Sequence, residues 1–343
     1  MQQNNSGQQN SSSPVLIVLV GCVVVSAMVS LAAVLIAVQR PVVVVVQGGA
    51  ATTSGGTGGA AVAVTPPGSD AVPPASPVPT TITAQRVAAA PGADDPFNAA
   101  WDAVPVSDLD LLPQQVAAPM LERVTVRRLR VQAVRDDQRL AWRLSWDAPQ
   151  PASSVETGVF TDAVAVQLPL VEGAPFTMGA KGKPVTVLHW KALWQKDVDE
   201  GFQDVHDLYP HAMSDLYWFA SGKWPFPVDE AFADVRSHQW LVGVAAGSPM
   251  AQLHRKQPVE ELVAEGFGSS THVPDSASTA RGQWRDGRWT VVIDRPLNPS
   301  DPQAAALQAG KPTQISFAVW DGQAGNVGGR KHYIGWVPFE VEP

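Results

Sequence analysis

The nine residues RLAWRLSWD, Arg139–Asp147, decide the fold class. Leu140, Trp142, Leu144 and Trp146 recur at every second position, with Arg143 and Ser145 between them. Side chains alternate across a strand, so this spacing gives one packed face and one face that meets water, as in an antiparallel sheet. Working outward, Glu122–Val134 reads as a strand reaching this one through the turn Arg135-Asp136-Asp137-Gln138. Downstream, QWRDGRW at residues 283–289 signals a hairpin, because Asp-Gly supplies the positive φ angles of a tight two-residue turn. Further strands are expected at Asp162–Leu168, Val185–Trp194, Gln239–Ala245, Trp289–Ile293, Thr313–Trp320 and His332–Val341. Helix is expected only in short pieces, at Ala304–Ala309 and around Ala212–Ala220. So many strands at this spacing predict an all-β domain over residues 94–343, an antiparallel sandwich with few short helices.

The N-terminal third has a different texture. Residues 1–14 form a polar tail, and Val15–Val38 is an uncharged apolar run of roughly 36 Å as a helix, long enough to cross a bilayer. No Lys or Arg precedes it, so it reads as a retained membrane anchor rather than a cleaved signal. Residues 39–93 are rich in Gly, Ala, Thr, Val and Pro, a composition that buries too little to fold and predicts a flexible tether with a reach of ~40 Å.

Cys22, the single cysteine, lies inside the apolar run, where Leu19-Val20-Gly21-Cys22 also resembles a lipoprotein cleavage box. The domain beyond it therefore has no disulfide, no thiolate-held zinc or iron–sulfur cluster, and no C-x-x-C-H haem attachment. A net charge of -8 argues against nucleic-acid binding, which needs a basic surface. Arg40 alone weakly favours a cytoplasmic C-terminal side.

Enzyme signatures are lacking: no G-x-S-x-G, no glycine-rich phosphate loop, no H-E-x-x-H. His206, Asp207 and His211 in DVHDLYPH could hold a metal, although turn-capping explains them as well. Trp142, Trp146, Trp190, Trp194, Trp320 and Trp336 fall in or beside predicted strands, where tryptophan usually builds core.

Four ordered blocks carry more specific information: PFNAAWDAVP with LLPQQ; LAWRLSWDAP with FTDAVAVQLPL; PFTMG at Pro175–Gly179 with VLHWKALWQ at Val187–Gln195; and FAVWDGQAGNVGGRKHYIGW at Phe317–Trp336. Together they resemble the haem-binding domain of the γ subunit of ethylbenzene dehydrogenase. The corresponding subunits of dimethylsulfide dehydrogenase, selenate reductase, chlorate reductase and nitrite oxidoreductase share it. That resemblance implies one noncovalent haem b, with a methionine and a lysine as axial ligands. Residue by residue these are Met178 of PFTMG and Lys331 of GGRK.

The resemblance further implies a membrane-associated electron-transfer subunit and no catalysis by this chain. Its partners would be an iron–sulfur β subunit and a molybdenum-containing catalytic α subunit, with a soluble cytochrome or quinone-linked carrier as a further partner. It also implies an extracytoplasmic domain, against the single charge of Arg40. Trp190, Trp320 and Trp336 would then be apolar walls, and Lys191 and Arg330 partners of the haem propionates. Rivals for the iron remain in His332, Lys311 and Met213. From the residues themselves two other readings stay open: a tethered carbohydrate-binding sandwich with exposed tryptophans, and a histidine-based metalloenzyme.

Overall fold

The computed structural model describes residues 81–202, 207, 209–211, 242–246, 248, 251–252, 254–274, 276–299 and 304–343. The expected anchor, most of the expected tether, His206, Met213 and the helix expected around Ala212–Ala220 lie outside them. Among the described residues no helix is long and apolar enough to cross a membrane.

The strands are β1 Ile82–Arg86, β2 Ser107–Asp110, β3 Leu112–Pro113, β4 Arg128–Arg135, β5 Arg139–Asp147, β6 Ala163–Pro169, β7 Val185–Lys191, β8 Val259–Ala264, β9 Thr271–His272, β10 Thr279–Arg285, β11 Arg288–Pro296, β12 Thr313–Trp320 and β13 His332–Val341. Two α-helices, α1 Ala192–Glu200 and α2 Val242–Ala245, and a 3-10 turn at Ala99–Ala103 complete the described elements. Hydrogen bonding runs in the order β10-β11-β5-β4-β1-β13-β12-β6-β7-β8-β9, with β2 added to β4 and β3 to β13.

The path is continuous rather than divided into separate sheets, because β1 serves both halves. Its Ile82–Ala84 pair in parallel with β13, and Gln85 and Arg86 pair in parallel with β4. The sheet curls so that its halves face each other. Trp146 of β5 meets Trp190 of β7 at 6.3 Å between ring centroids, and Trp190 meets Trp289 of β11 at 5.1 Å. At the other end Trp142 of β5 lies 6.1 Å from Phe339 of β13. Between the halves, Arg295 of β11 reaches Glu261 of β8 at 3.6 Å, both fully buried.

Several boundaries differ from the sequence reading. The stretch expected as tether up to residue 93 contains β1, whose Ile82 and Ala84 are buried. Five alternating residues are too few to alter an average composition, yet they are enough to zip two neighbours together. The first half of the predicted Glu122–Val134 strand is not strand: the amides of Thr125 and Val126 bond the His332 ring instead. The predicted Val185–Trp194 strand ends at Lys191 and turns into α1. Val242–Ala245, predicted as strand, is helical. Ala304–Ala309, predicted as helix, is irregular. There the Ala305 carbonyl accepts from buried Arg295 at 2.7 Å, a bond that a continuing helix would claim for itself.

Candidate functional site

Strand parity explains where a site can form. In β6, AVAVQLP, the valines Val164 and Val166 enter the main core, while Ala163 and Ala165 face the opposite side. On that outer face the register aligns Tyr333, Ala318, Ala165 and His189 in one row, and Ser316, Gln167, Val187 and Leu262 in the next. Neighbouring strands lie about 4.8 Å apart. Small residues at the middle of the first row thus leave a depression between the larger Tyr333 and His189. Loops close over it to make a cavity of about 440 Å³, within the ~300–1,000 Å³ range of cofactor and ligand sites.

Met178 and Lys331 both line this cavity, with Trp320, Phe176, Tyr333 and His189 among the other walls. Met178 has a φ of +65°, in the left-handed region that a residue with a Cβ avoids. Its loop is anchored on all sides. The Gly266 amide donates to the Met178 carbonyl at 2.8 Å, Gln167 Nε2 to the Phe176 carbonyl at 2.8 Å, and Trp336 Nε1 to the Ala174 carbonyl at 2.8 Å. The Phe176 ring stacks on Tyr333 at 5.8 Å. Gly179 follows at φ +74°, and a Cβ there would lie 2.6 Å from the Ala264 carbonyl oxygen. A residue in a sparsely populated backbone region persists only where its surroundings over-determine it, as these bonds do, and such residues cluster at ligand and active sites.

The loop carrying Lys331 is held by Gln114. Its Nε2 donates to the carbonyls of Ala117, Pro119 and Gly329, and its Oε1 accepts from the amides of Val116 and Ala117. The Gln114 amide donates to the Lys331 carbonyl at 2.9 Å, and Trp320 Nε1 donates to the Gly328 carbonyl at 3.0 Å. A Cβ on Gly329 would sit 2.8 Å from the Pro119 carbonyl oxygen, so this contact requires glycine. The Lys331 Nζ lies 5.2 Å from the Trp320 ring centroid. No carboxylate pairs with it among the described residues, and burial pushes the amine down to about 8. At that value a large share of the amine is neutral near pH 8, with a free lone pair for a metal.

The rivals are disposed differently. His332 is fully buried with its ring committed: Nε2 accepts from the amides of Thr125 at 3.0 Å and Val126 at 3.2 Å, and Nδ1 faces the Val319 carbonyl at 3.4 Å. Lys311 is exposed on a turn and outside the cavity lining. Of the other predicted residues, Trp190 points from β7 into the main core rather than to the cavity, against Trp146 and Trp289. Trp336 packs against the same buried cluster as Met178 and pins its loop through Ala174, without lining the cavity itself. Lys191 shares the outer face of β7, but its Nζ sits 4.3 Å over the Trp194 ring, outside the lining. Arg330 is exposed and also outside it.

The sequence reading missed two residues. Gln114 was visible as part of LLPQQ, but nothing local shows that one amide will staple two loops. His189 lay within VLHWK, and strand parity with Val187 would have set it on the outer face. Among the described residues no group of three or more His, Cys, Asp or Glu gathers to hold a metal. Of the described tryptophans the exposed one is Trp284, and its Nε1 donates to the Ala148 carbonyl at 2.8 Å.

The sequence profile of the ethylbenzene dehydrogenase family matches residues 98–332, more than half of the chain. The chain belongs to that family. Two relatives extend the likeness. A Haloferax mediterranei protein described as a respiratory nitrate reductase heme subunit is 26% identical over 273 residues, 79% of this chain and 75% of that protein. The chlorate reductase subunit gamma of Ideonella dechloratans is 28% identical over 257 residues, 72% of this chain and 79% of that protein. Among solved structures, a family 9 carbohydrate-binding module from Caldicellulosiruptor kristjanssonii in complex with glucose aligns with a TM-score of 0.36 and 8% identity, over 77% of this chain and 96% of that one. The ethylbenzene dehydrogenase match includes both cavity loops, with Met178 and Lys331 inside its limits.

Proposed function

We propose that the cavity holds one haem b, bound noncovalently with Met178 and Lys331 on the iron. The chain would then be the electron-transfer subunit of a membrane-associated molybdenum oxidoreductase complex. One observation carries the reading: a thioether and a depressed, unpaired amine from loops far apart in sequence line one largely apolar cavity. The single cysteine, Cys22, precedes the domain, so thiol attachment of the porphyrin is excluded there. The names of the two relatives, a heme subunit and a gamma subunit, support the same reading.

The haem would supply a one-electron couple, and the protein would tune and shield it. Met178 offers a neutral, soft sulfur that favours ferrous iron and raises the potential. Lys331 offers a lone pair because burial disfavours its charged form. Trp320, Phe176 and Tyr333 would give the space between aromatic walls that limit the access of water. Expected partners are an iron–sulfur β subunit, a molybdenum catalytic α subunit and a soluble or quinone-linked carrier. Residues 15–38 would tether the domain, read as a β-sandwich, on the extracytoplasmic side of the membrane.

The test is the visible and electron paramagnetic resonance spectrum of the full-length protein purified with haem available. One low-spin haem per chain is expected, with its Soret band shifting on reduction, and Met178→Ala should convert the iron to high spin. A colourless protein that takes up no haem rejects the reading.

A further inference from the structure

We propose that Gln114 is the positioning residue of the amine ligand: it fixes the stretch of backbone from which Lys331 reaches the iron, and so decides how firmly that one axial bond is held. This rests on the haem reading above. The Gln114 amide extends the β3–β13 pairing by one bond, to the Lys331 carbonyl at 2.9 Å. Its side chain turns back to the Gly329 carbonyl at 2.8 Å, two residues earlier. One glutamine therefore grips the chain at Lys331 and just before it. The same Nε2 donates to the carbonyls of Ala117 at 2.8 Å and Pro119 at 3.2 Å, and Oε1 accepts from the amides of Val116 at 2.7 Å and Ala117 at 2.8 Å. Two segments of the cavity wall are thereby tied to each other.

Gln114 is buried, and both ends of its amide are engaged with backbone groups, so its effect on the iron would pass through Lys331. Lys331 needs such a hold. Among the described residues no hydrogen bond or ion pair fixes its Nζ, which only approaches the Trp320 ring at 5.2 Å. A lysine stem has four flexible carbons. Anchoring its backbone end reduces the freedom lost when the nitrogen takes one position, and this favours the bound amine over any competitor. Met178 is held by other bonds, from the Gly266 amide to its own carbonyl and from Gln167 to the Phe176 carbonyl. Loosening Gln114 should therefore weaken the nitrogen bond and spare the sulfur bond.

A matched comparison exists in the same sheet. Gln132 is also buried, its Nε2 donates to the carbonyls of Trp101 and Val104 at 2.7 Å each, and its Oε1 accepts from Arg143 at 3.1 Å. It lies outside the cavity lining. A glutamine that merely supports the fold should behave as Gln132 does.

The experiment is an imidazole titration of the full-length, haem-loaded ferric protein. Electron paramagnetic resonance reads which nitrogen binds, and near-infrared magnetic circular dichroism reads the sulfur-to-iron charge-transfer band. In Gln114→Ala, imidazole is expected to replace the amine at a concentration at least about fivefold lower than in the unsubstituted protein, with the sulfur band retained. Gln114→Glu should shift the same way, because it keeps the oxygen that serves Val116 and Ala117 and loses the donor that reaches Gly329. Gln132→Ala should titrate as the unsubstituted protein does. An unchanged titration in Gln114→Ala, an equal shift in Gln132→Ala, loss of the sulfur band together with the amine, or loss of haem from both Gln114 variants each overturns the proposal while the haem reading stands. Failure of both Gln114 variants to fold overturns it too, since the residue would then serve the fold rather than the ligand. Absence of haem from the unsubstituted protein is the separate outcome that rejects the haem reading and this proposal with it.

Discussion

The two faces of strands β6, β7 and β12 are built from the same alternating pattern and end in opposite conditions. Inward, Val164, Val166, Leu188, Trp190, Phe317 and Val319 interlock with the facing half of the sheet. Outward, Ala163, Ala165, Ala318 and Trp320 leave room that loops enclose without filling. The inner face is stabilised by removing large rings from water, about 25 cal/mol for each Å² of apolar surface. The outer face forgoes part of that gain, holding a buried amine, an imidazole with an unbonded nitrogen and a methionine in a left-handed conformation. The contrast teaches that stability and cofactor chemistry are separated by parity, one residue apart along a strand.

The strongest way to break this division is on the inner face. Trp190 is fully buried against Trp146 and Trp289, and its Nε1 donates to Gln195 at 3.3 Å. Trp190→Ala should destabilise the protein by about 3–5 kcal/mol, read from the denaturant midpoint. If haem is the cofactor, binding by the fraction still folded should persist. A loss of haem affinity greater than the loss of folded protein would show that the two faces are coupled.

A sharper comparison uses adjacent residues. Ala165→Phe projects a ring into the cavity, so haem uptake should fall at least tenfold while the thermal midpoint of the haem-free protein moves by no more than a few degrees. Val166→Phe places the same ring in a filled core, where overpacking costs about 1–3 kcal/mol, and should leave uptake per folded molecule intact. Haem titration and thermal unfolding of both variants decide the matter, and similar behaviour of the pair would remove parity as the explanation.

This parity also explains what was legible in the sequence. Strands with strict alternation or a glycine turn, such as Arg139–Asp147 and the hairpin at Trp284–Trp289, could be read because local pattern determines them. Trp190 was misassigned to the cavity because an aromatic count says nothing of which face a tryptophan occupies, whereas its position beside His189 does. His332 was a credible rival until its ring was seen to satisfy two amides more than 200 residues away in sequence. No local signal carries such a partnership, nor the grip of Gln114 on the loop before Lys331. Met178 and Lys331 were reached through resemblance to a family, since neither a methionine beside glycine nor a lysine beside arginine announces a ligand. The φ of Met178, visible only in three dimensions, is the local sign that this methionine is unusual.

That backbone angle gives the smallest effect and the most specific one. A residue with a Cβ in the left-handed region costs about 1–2 kcal/mol, and glycine escapes most of this while adding roughly 0.5–1 kcal/mol of chain entropy to the unfolded state. Met178→Gly and Met178→Ala both remove the thioether, so both should lose low-spin iron. In the folded state they differ in backbone strain: the alanine must still adopt φ near +65° under the hold of the Gly266 amide, and the glycine does so freely. In the haem-free protein Met178→Gly should therefore be the more stable of the two by up to about 1 kcal/mol. Equal midpoints would mean that the loop relaxes once the side chain is gone, and that Met178 is placed by its own packing rather than by the backbone around it.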